Sequence, residues 1–482
     1  MKRRKYFVGG FLFIGMTVCA ISLVYSSSGL REPSTSLELD QLLDQTFRVD
    51  IKDISVTFDY YPDSHYVQGK ALLTFKMREG QTYPLIHFDP ALRYDSLTDI
   101  KLNGETLNFY DVSDVEVIEF GESTQEAIEF QRSLPENIEH TLEMTYRLSL
   151  PDVYPRFSTF VHDIQGRGNE EIFPTLNSPE ELCRHILNFR VHGQKSYLLI
   201  GSGLVEKMNS PAIQHWRLDT EREVASYTVM FVLVPEEDFI YRERTINGVQ
   251  VRIAAYKGGA SIDEAFSQLE GWLPELEANI GPFPMPRGLS VFLTSRYGGM
   301  EYYGATISSL EALMHEVFHM YYGCSAVAKT YRDTWMDEAI NMWYEYSVDP
   351  NYYSIQSGYQ SNWVGGRSPI SVGFDYRAYS VGARIMEAVA ERLGGREEMI
   401  AFLRYVHLHY SFSPFTTFDF LDYLKSYSGI DMETQFLDWL YNGAADYTSY
   451  VYTDSRFEVM NKVDMTPPEE IMKKYLRKEK RR

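Results

Sequence analysis

The sequence predicts a multidomain α+β protein, an antiparallel β domain followed by a mostly helical domain. Three observations point there. The chain is 482 residues long, room for two or three domains and a large core. From about Phe47 to Pro235 apolar residues fall in short β-type runs separated by turn signals. From Ile262 onward the apolar spacing changes to that of helices.

Composition narrows the class. Hydrophobic residues make up 44% of the chain and aromatic residues 15%, which argues against disorder. The formal net charge of −21 would repel nucleic-acid phosphates, so no nucleic-acid partner is expected. The three cysteines are Cys19, Cys183 and Cys324, and the first lies in an N-terminal apolar segment, so there is no disulfide framework. Cys183 and Cys324 are expected as buried free thiols, with a single bridge as the alternative.

Taken in order, Met1 to Lys5 is basic, and Tyr6 to Tyr25 runs twenty residues without a charge, long enough to cross a bilayer. The basic flank would stay inside and place everything after residue 25 outside the cytoplasm. Residues 1–25 are read as an uncleaved membrane anchor. A cleaved signal peptide is the alternative, since Ala20-Ile21-Ser22 and Val24-Tyr25-Ser26 are passable cleavage sites. Residues 26–45 read as a polar tether.

The β domain is placed at 46–245. Its strand-like runs include Ile54–Tyr61, Lys70–Lys76 and Tyr227–Val234, and Pro62-Asp63-Ser64 and Asn103-Gly104 mark turns. The second domain, 246–450, opens with a strand over Val249–Ala255. A helix follows over Ile262–Ile280, with Leu269, Trp272, Leu273, Leu276 and Ile280 on its apolar face. Gly281-Pro282-Phe283-Pro284 breaks it, and the strand Leu289–Thr294 leads to Gly298-Gly299. Further helices are expected over Tyr379–Leu393, Glu397–His409, Phe418–Ser428 and Met432–Tyr441. Residues 451–482 form a tail with a basic, solvated end.

The chemistry concentrates in His315-Glu316-Val317-Phe318-His319. Ser308 and Glu311 form a capping-box pattern ahead of it, and Gly323 is a natural helix stop. On a helix His315 and His319 share one face, so both imidazoles reach one metal ion. Glu316 beside them can act as general base toward a metal-activated water. A hydrolytic zinc site needs a third protein ligand and one open position. Glu338, separated from His319 by eighteen residues, falls in the first turn of a second helix that Thr334 and Asp337 cap and Asp349-Pro350 end. The loop from Gly323 to Asp333 is long enough to fold that turn back. One Zn2+ per chain on His315, His319 and Glu338 is therefore expected. Asp337 and Glu345 are read as solvated or as supports for the ligands.

This set resembles the zinc aminopeptidases of the aminopeptidase N family, within the gluzincins. Beyond the H-E-x-x-H and the distant Glu, Gly298-Gly299-Met300-Glu301-Tyr302 is similar to the family's G-x-M-E-N exopeptidase motif. Tyr379-Ser380-Val381-Gly382 is similar to the Tyr-x-x-Gly around its catalytic tyrosine, and the stretch from Ile172 to Glu180 resembles F-P-x-x-D-x-P. The resemblance spans residues 45 to 445. It implies a saddle-like β domain as one wall of a cleft and a thermolysin-like, mostly helical zinc peptidase domain. It also implies catalytic roles for Glu316 and Tyr379, the latter donating to the developing oxyanion, and a substrate-binding turn of Gly298, Gly299, Met300 and Glu301. Glu301 would take the amino terminus of the peptide.

Four departures accompany it. Tyr302 stands where the family has Asn, and the gap from Glu301 to His315 is shorter than usual. The upstream Thr-Gln motif is not evident, Gln165 being out of register. The chain ends without the long helical C-terminal domain that many members carry. The expected function is a membrane-anchored zinc aminopeptidase. One alternative is an endopeptidase, if the altered motif no longer holds an amino terminus. Another is a catalytically idle domain used for binding, against which the full ligand set and Glu316 argue.

Overall fold

Val49–Tyr61 is the spine of the N-terminal half. In the computed structural model, residues 47–88, 97–119, 123–149, 160–162, 169–179, 181–210, 213–295, 298–329, 333–348, 378–379 and 382–437 are described. The expected anchor, the tether, Gln165 and the C-terminal tail lie outside them. Among the described residues no helix is long and apolar enough to cross a membrane.

Val49–Tyr61 pairs antiparallel with Tyr66–Met77 across a tight turn at Pro62–Ser64. Ile51 faces Phe75 and Asp53 faces Thr74, so Lys52 is an extra residue in the strand. That bulge keeps the apolar residues in phase. Ile51 and Ile54 are an odd number apart, yet both are buried. Strict alternation from Ile51 would turn Ile54, Val56, Phe58 and Tyr60 toward solvent.

On its other side Val49–Tyr61 runs parallel to Leu182–Val191, with Asp53 opposite Arg184. The nine-stranded sheet is therefore mixed, a correction to the antiparallel domain that the sequence predicts. A parallel partner lies far along the chain, and no local pattern encodes it. Two three-stranded sheets complete this half. One joins Tyr197–Gly201, Phe231–Pro235 and Phe160–His162, and the other joins Leu85–His87, Ser123–Phe130 and Val112–Glu119. The run expected from Tyr227 becomes strand only at Phe231, because Ser226–Thr228 closes a 3-10 turn.

The second half is built on a five-stranded sheet in the order Phe239–Ile246, Val249–Tyr256, Leu289–Leu293, Ala305–Ser308, Gly299–Tyr302. Asn247 (φ 49°) and Gly248 (φ 81°) turn the first two strands into a hairpin, so this sheet crosses the expected 245/246 boundary. Helix α1 (Ile262–Asn279) connects Val249–Tyr256 to its parallel neighbour Leu289–Leu293. Ser261 caps it, accepting from the Glu264 amide at 3.2 Å. Phe266, Leu269, Leu273 and Leu276 are buried beneath it.

Among the described residues six helices follow: α2 (Leu313–Phe318), α3 (Trp335–Val348), α4 (Gly382–Leu393), α5 (Arg396–Tyr410), α6 (Thr417–Ser428) and α7 (Glu433–Leu437). One continuous core runs through both halves, from Phe47 to Phe436. A smaller cluster lies between them, joining Leu198, Ile200, Met230, Val232 and Val234 to Phe239, Ala254, Tyr302 and Ala305. Cys183 and Cys324 are buried free thiols.

Candidate active site

The helix that carries the two histidines is one residue short of two turns and does not start where the capping pattern suggests. Ser308 is the last residue of a strand, paired with Leu293 and Gly299, so it is not free to cap. The Ser309 hydroxyl instead accepts from the Ala312 amide at 3.3 Å, and α2 begins at Leu313. It ends at Phe318 with His319 as its C-cap. Gly323 lies beyond the helix and serves a different end. Its φ is 124°, and a Cβ there would stand 2.4 Å from the Asp337 carboxylate.

Helix α3 folds back on α2 and supplies the third ligand candidate. The Asn341 side-chain amide donates to the His315 carbonyl at 3.0 Å, tying the two helices together. Nε2 of His315 and Nε2 of His319 stand 3.2 Å apart. Glu338 Oε2 lies 3.2 Å from the first and 3.5 Å from the second. The other ring nitrogens are held from behind. His315 Nδ1 meets Glu345 at 3.2 Å, and His319 Nδ1 meets Asp337 at 2.5 Å and the Tyr322 carbonyl at 3.2 Å. Asp337 and Glu345 are thus supports for the imidazoles. With Nδ1–H donating backward, the Nε2 lone pairs face one point.

The hairpin Gly299–Tyr302 and Ala305–Ser308 forms the facing edge. Strand alternation puts Gly299 and Glu301 on one side and Met300 and Tyr302 on the other. Glu301 approaches His319 and Asp337, all three offering ligand atoms within 4.8 Å of one another. A Cβ on Gly299 would stand 2.4 Å from Glu316 Oε1, so only glycine lets that carboxylate lie against the strand. Gly298 (φ 106°) closes the base of the hairpin, its carbonyl accepting from the Ser309 amide at 2.8 Å. Met300 packs against the cluster between the two halves, away from Glu301.

Tyr379 lies in a short π-helical stretch ahead of α4, which is described from Gly382. Its ring stacks near His315, centroids 6.3 Å apart at 12°. Gly382 makes this approach possible. A Cβ there would stand 2.6 Å from Cβ of Ala339, the residue after Glu338. The Tyr-x-x-Gly spacing therefore reflects a close crossing of α4 on α3.

The electrostatics are those of a negative pocket around two imidazoles. Five carboxylates, Glu301, Glu316, Asp337, Glu338 and Glu345, face His315 and His319. Burial opposes charge on His315, but the hydrogen bonds with Glu338 and Glu345 outweigh it and raise the group to about 10. His319 is raised too, Asp337 foremost overcoming its burial. Burial would lift Glu338, yet the adjacent imidazoles hold it below the usual carboxylate range. Burial pushes Glu316 up to about 7 and Glu301 up to about 8, each against the pull of the histidines. Burial and the Glu338 carboxylate keep the Tyr379 hydroxyl protonated well above its ordinary value.

These residues fit a metal ion. Two imidazole nitrogens and one carboxylate oxygen converge, which is a donor set for zinc, and two buried carboxylates with three partly buried ones around them call for a cation. Glu316 Oε2 is buried and meets no hydrogen-bond partner among the described residues, leaving it available to a reactant.

One neighbour escaped the sequence reading. Tyr227, expected as strand, sits in the 3-10 turn of the N-terminal half. Burial, then the charges of Asp337, Cys324 and Glu301, raise its phenol well above the ordinary value. No local pattern marks it, because contact between the two halves sets its position.

The fold is that of the M1 zinc metallopeptidases. No protein-family model matches the chain, and no curated protein does. Solved structures do. Aminopeptidase A of Legionella pneumophila, in complex with aspartic acid, superposes with a TM-score of 0.67 at 15% identity, covering 82% of this chain and 50% of that one. The chain thus spans half the length of that protein. A mutant M1 zinc metallopeptidase of Deinococcus radiodurans, bound to a Tyr-Ser-Ala substrate, gives 0.64 at 17% identity, with 84% and 96% covered. A further structure of the M1 zinc metallopeptidase from Deinococcus radiodurans gives 0.62 at 16% identity, with 84% and 95% covered.

The contact between Gly299 and Glu316 yields a test. Gly299→Ala should displace the Glu316 carboxylate and lower peptide turnover by about 100-fold, the scale of an ångström-level misplacement. Zinc content should stay at the wild-type level. Unchanged turnover would show that Glu316 does not need this close approach.

Proposed function

We propose that this chain is a zinc-dependent aminopeptidase that removes residues from the amino terminus of peptides. The observation that carries the reading is the meeting of His315, His319 and Glu338, with Glu316 beside them and Glu301 on the facing edge strand. The likeness to M1 zinc metallopeptidases, one of them bound to a tripeptide, supports it. On this reading the five-stranded sheet and helices form a thermolysin-like catalytic domain. The N-terminal sheets form a saddle-like wall of the cleft.

His315, His319 and Glu338 would hold the zinc. Bound there, zinc supplies Lewis acidity toward the scissile carbonyl and acidifies a water. Glu316 takes the proton of the attacking water and later delivers it to the leaving amine. Burial raises this carboxyl while the neighbouring imidazoles favour its ionised form, so it can both take and return a proton. Tyr379, protonated and stacked near His315, donates a hydrogen bond to the oxyanion as it develops. The positive charge of the substrate's free α-ammonium favours the ionised Glu301 carboxylate against its burial, and Glu301 accepts from that ammonium in a charge-assisted contact that an internal peptide segment cannot make. Asp337 and Glu345 fix the imidazoles.

The charge-free stretch from Tyr6 to Tyr25 supports an uncleaved anchor that holds the catalytic part outside the cytoplasm. Full-length protein should then sediment with membranes and resist carbonate extraction. Recovery of a soluble form beginning near Leu23 or Ser27 would establish cleavage instead.

The purified catalytic part should hold about one zinc per chain. His315→Ala, His319→Ala or Glu338→Ala should lose metal and activity together. Glu316→Gln should keep metal and lose turnover by about 100- to 10,000-fold. Turnover near wild type in Glu316→Gln would overturn the mechanism.

Free peptides should be shortened one residue at a time, and their N-acetylated versions should resist. Glu301→Ala should weaken cleavage of the free peptides alone. Efficient internal cleavage of blocked peptides by the wild type would replace this reading with an endopeptidase.

A further inference from the structure

We propose that Tyr302, standing where the resembled exopeptidase motif has Asn, is a positioning residue that anchors Glu301 by plugging the hairpin into the N-terminal half. The inference rests on the aminopeptidase reading, since it concerns how the amino terminus is held. Tyr302 is the last residue of the strand Gly299–Tyr302 and is fully buried. Being one residue from Glu301, it projects to the opposite face of the strand. There it enters the cluster between the two halves, among Leu198, Ile200, Met230, Val232 and Val234 of one and Phe239, Ala254 and Ala305 of the other. Met300 packs against the same cluster.

The backbone beside it is strapped to the same half. The Tyr303 amide donates to the Thr228 carbonyl at 2.8 Å, and its carbonyl accepts from the Gly203 amide at 3.3 Å. Thr228 belongs to the 3-10 turn that carries Tyr227, and its neighbour Met230 is paired to Ser202 at 3.1 Å. The hairpin is thus an edge of the catalytic sheet by hydrogen bonding and a part of the N-terminal half by packing. A short edge strand has one free side and would otherwise shift. A buried aromatic side chain fixes its register and depth, and with them the Glu301 carboxylate on the reverse face.

The test compares Tyr302→Ala with Tyr302→Phe on free and N-acetylated peptides, with zinc content and thermal unfolding measured alongside. Tyr302→Phe keeps the ring in its socket and removes only the hydroxyl, so its KM and its preference should stay much nearer wild type than those of Tyr302→Ala. Tyr302→Ala should raise KM for free peptides by about tenfold or more, with kcat reduced far less and zinc retained. Its preference for free over acetylated peptides should shrink by the same factor. Met230→Ala, which loosens the socket from the other side, should raise KM in the same sense and stands in if Tyr302→Ala does not fold. A folded Tyr302→Ala, or Met230→Ala in its place, with wild-type KM and wild-type preference would overturn this inference and leave the aminopeptidase reading intact. A wild type that does not discriminate free from acetylated peptides would overturn both.

Discussion

The imidazoles of His315 and His319 are the constraint on which the rest of the second half depends. Each is gripped at Nδ1 by a carboxylate from α3, and each turns Nε2 toward Glu338 of the same helix. A six-residue helix has little stability of its own, so α2 cannot hold this geometry unaided. Asn341, Asp337 and Glu345 hold it from α3, and α3 is in turn pinned by the approach of α4 at Gly382. Small residues at Gly299, Gly323 and Gly382 occur where one element must nearly touch another. Each would lose that contact with a single added carbon.

The site was more legible than the fold around it. H-E-x-x-H with a distant Glu is a local pattern on two helices, and helical spacing places its members on shared faces. The helix over Ile262–Asn279 and the turn at Asn103-Gly104 were equally readable, the one from its period and the other from its φ > 0 residues. The start of α2 was not, because Ser308 and Glu311 satisfy a capping pattern while the sheet claims Ser308 for a strand. The parallel pairing in the large sheet was invisible for a related reason, since alternation says which face is buried but not which strand lies alongside. Tyr227 and Tyr302 were mute as well. Their places come from contact between halves distant in the chain, and a single tyrosine carries no periodic signal.

The two halves meet through side chains that each half needs. The cluster around Tyr302 is built almost equally from the small N-terminal sheet and the catalytic sheet, and the larger core also runs across. The N-terminal β half is therefore structural support for the strand that carries Glu301.

The parallel pairing of Val49–Tyr61 with Leu182–Val191 has a temporal consequence. During synthesis the first strand emerges early and can form its hairpin with Tyr66–Met77 at once, a local event. Its other edge stays open until the chain has been made as far as Val191, and closing so long a loop is slow. The hairpin that bears Glu301 comes later still and docks on a surface that exists only after Phe231–Pro235 has paired. The hairpin that bears Glu301 thus cannot be seated until most of the N-terminal half has formed, and until Val191 has been made the nascent chain carries an apolar strand with one open edge, available for pairing with another chain.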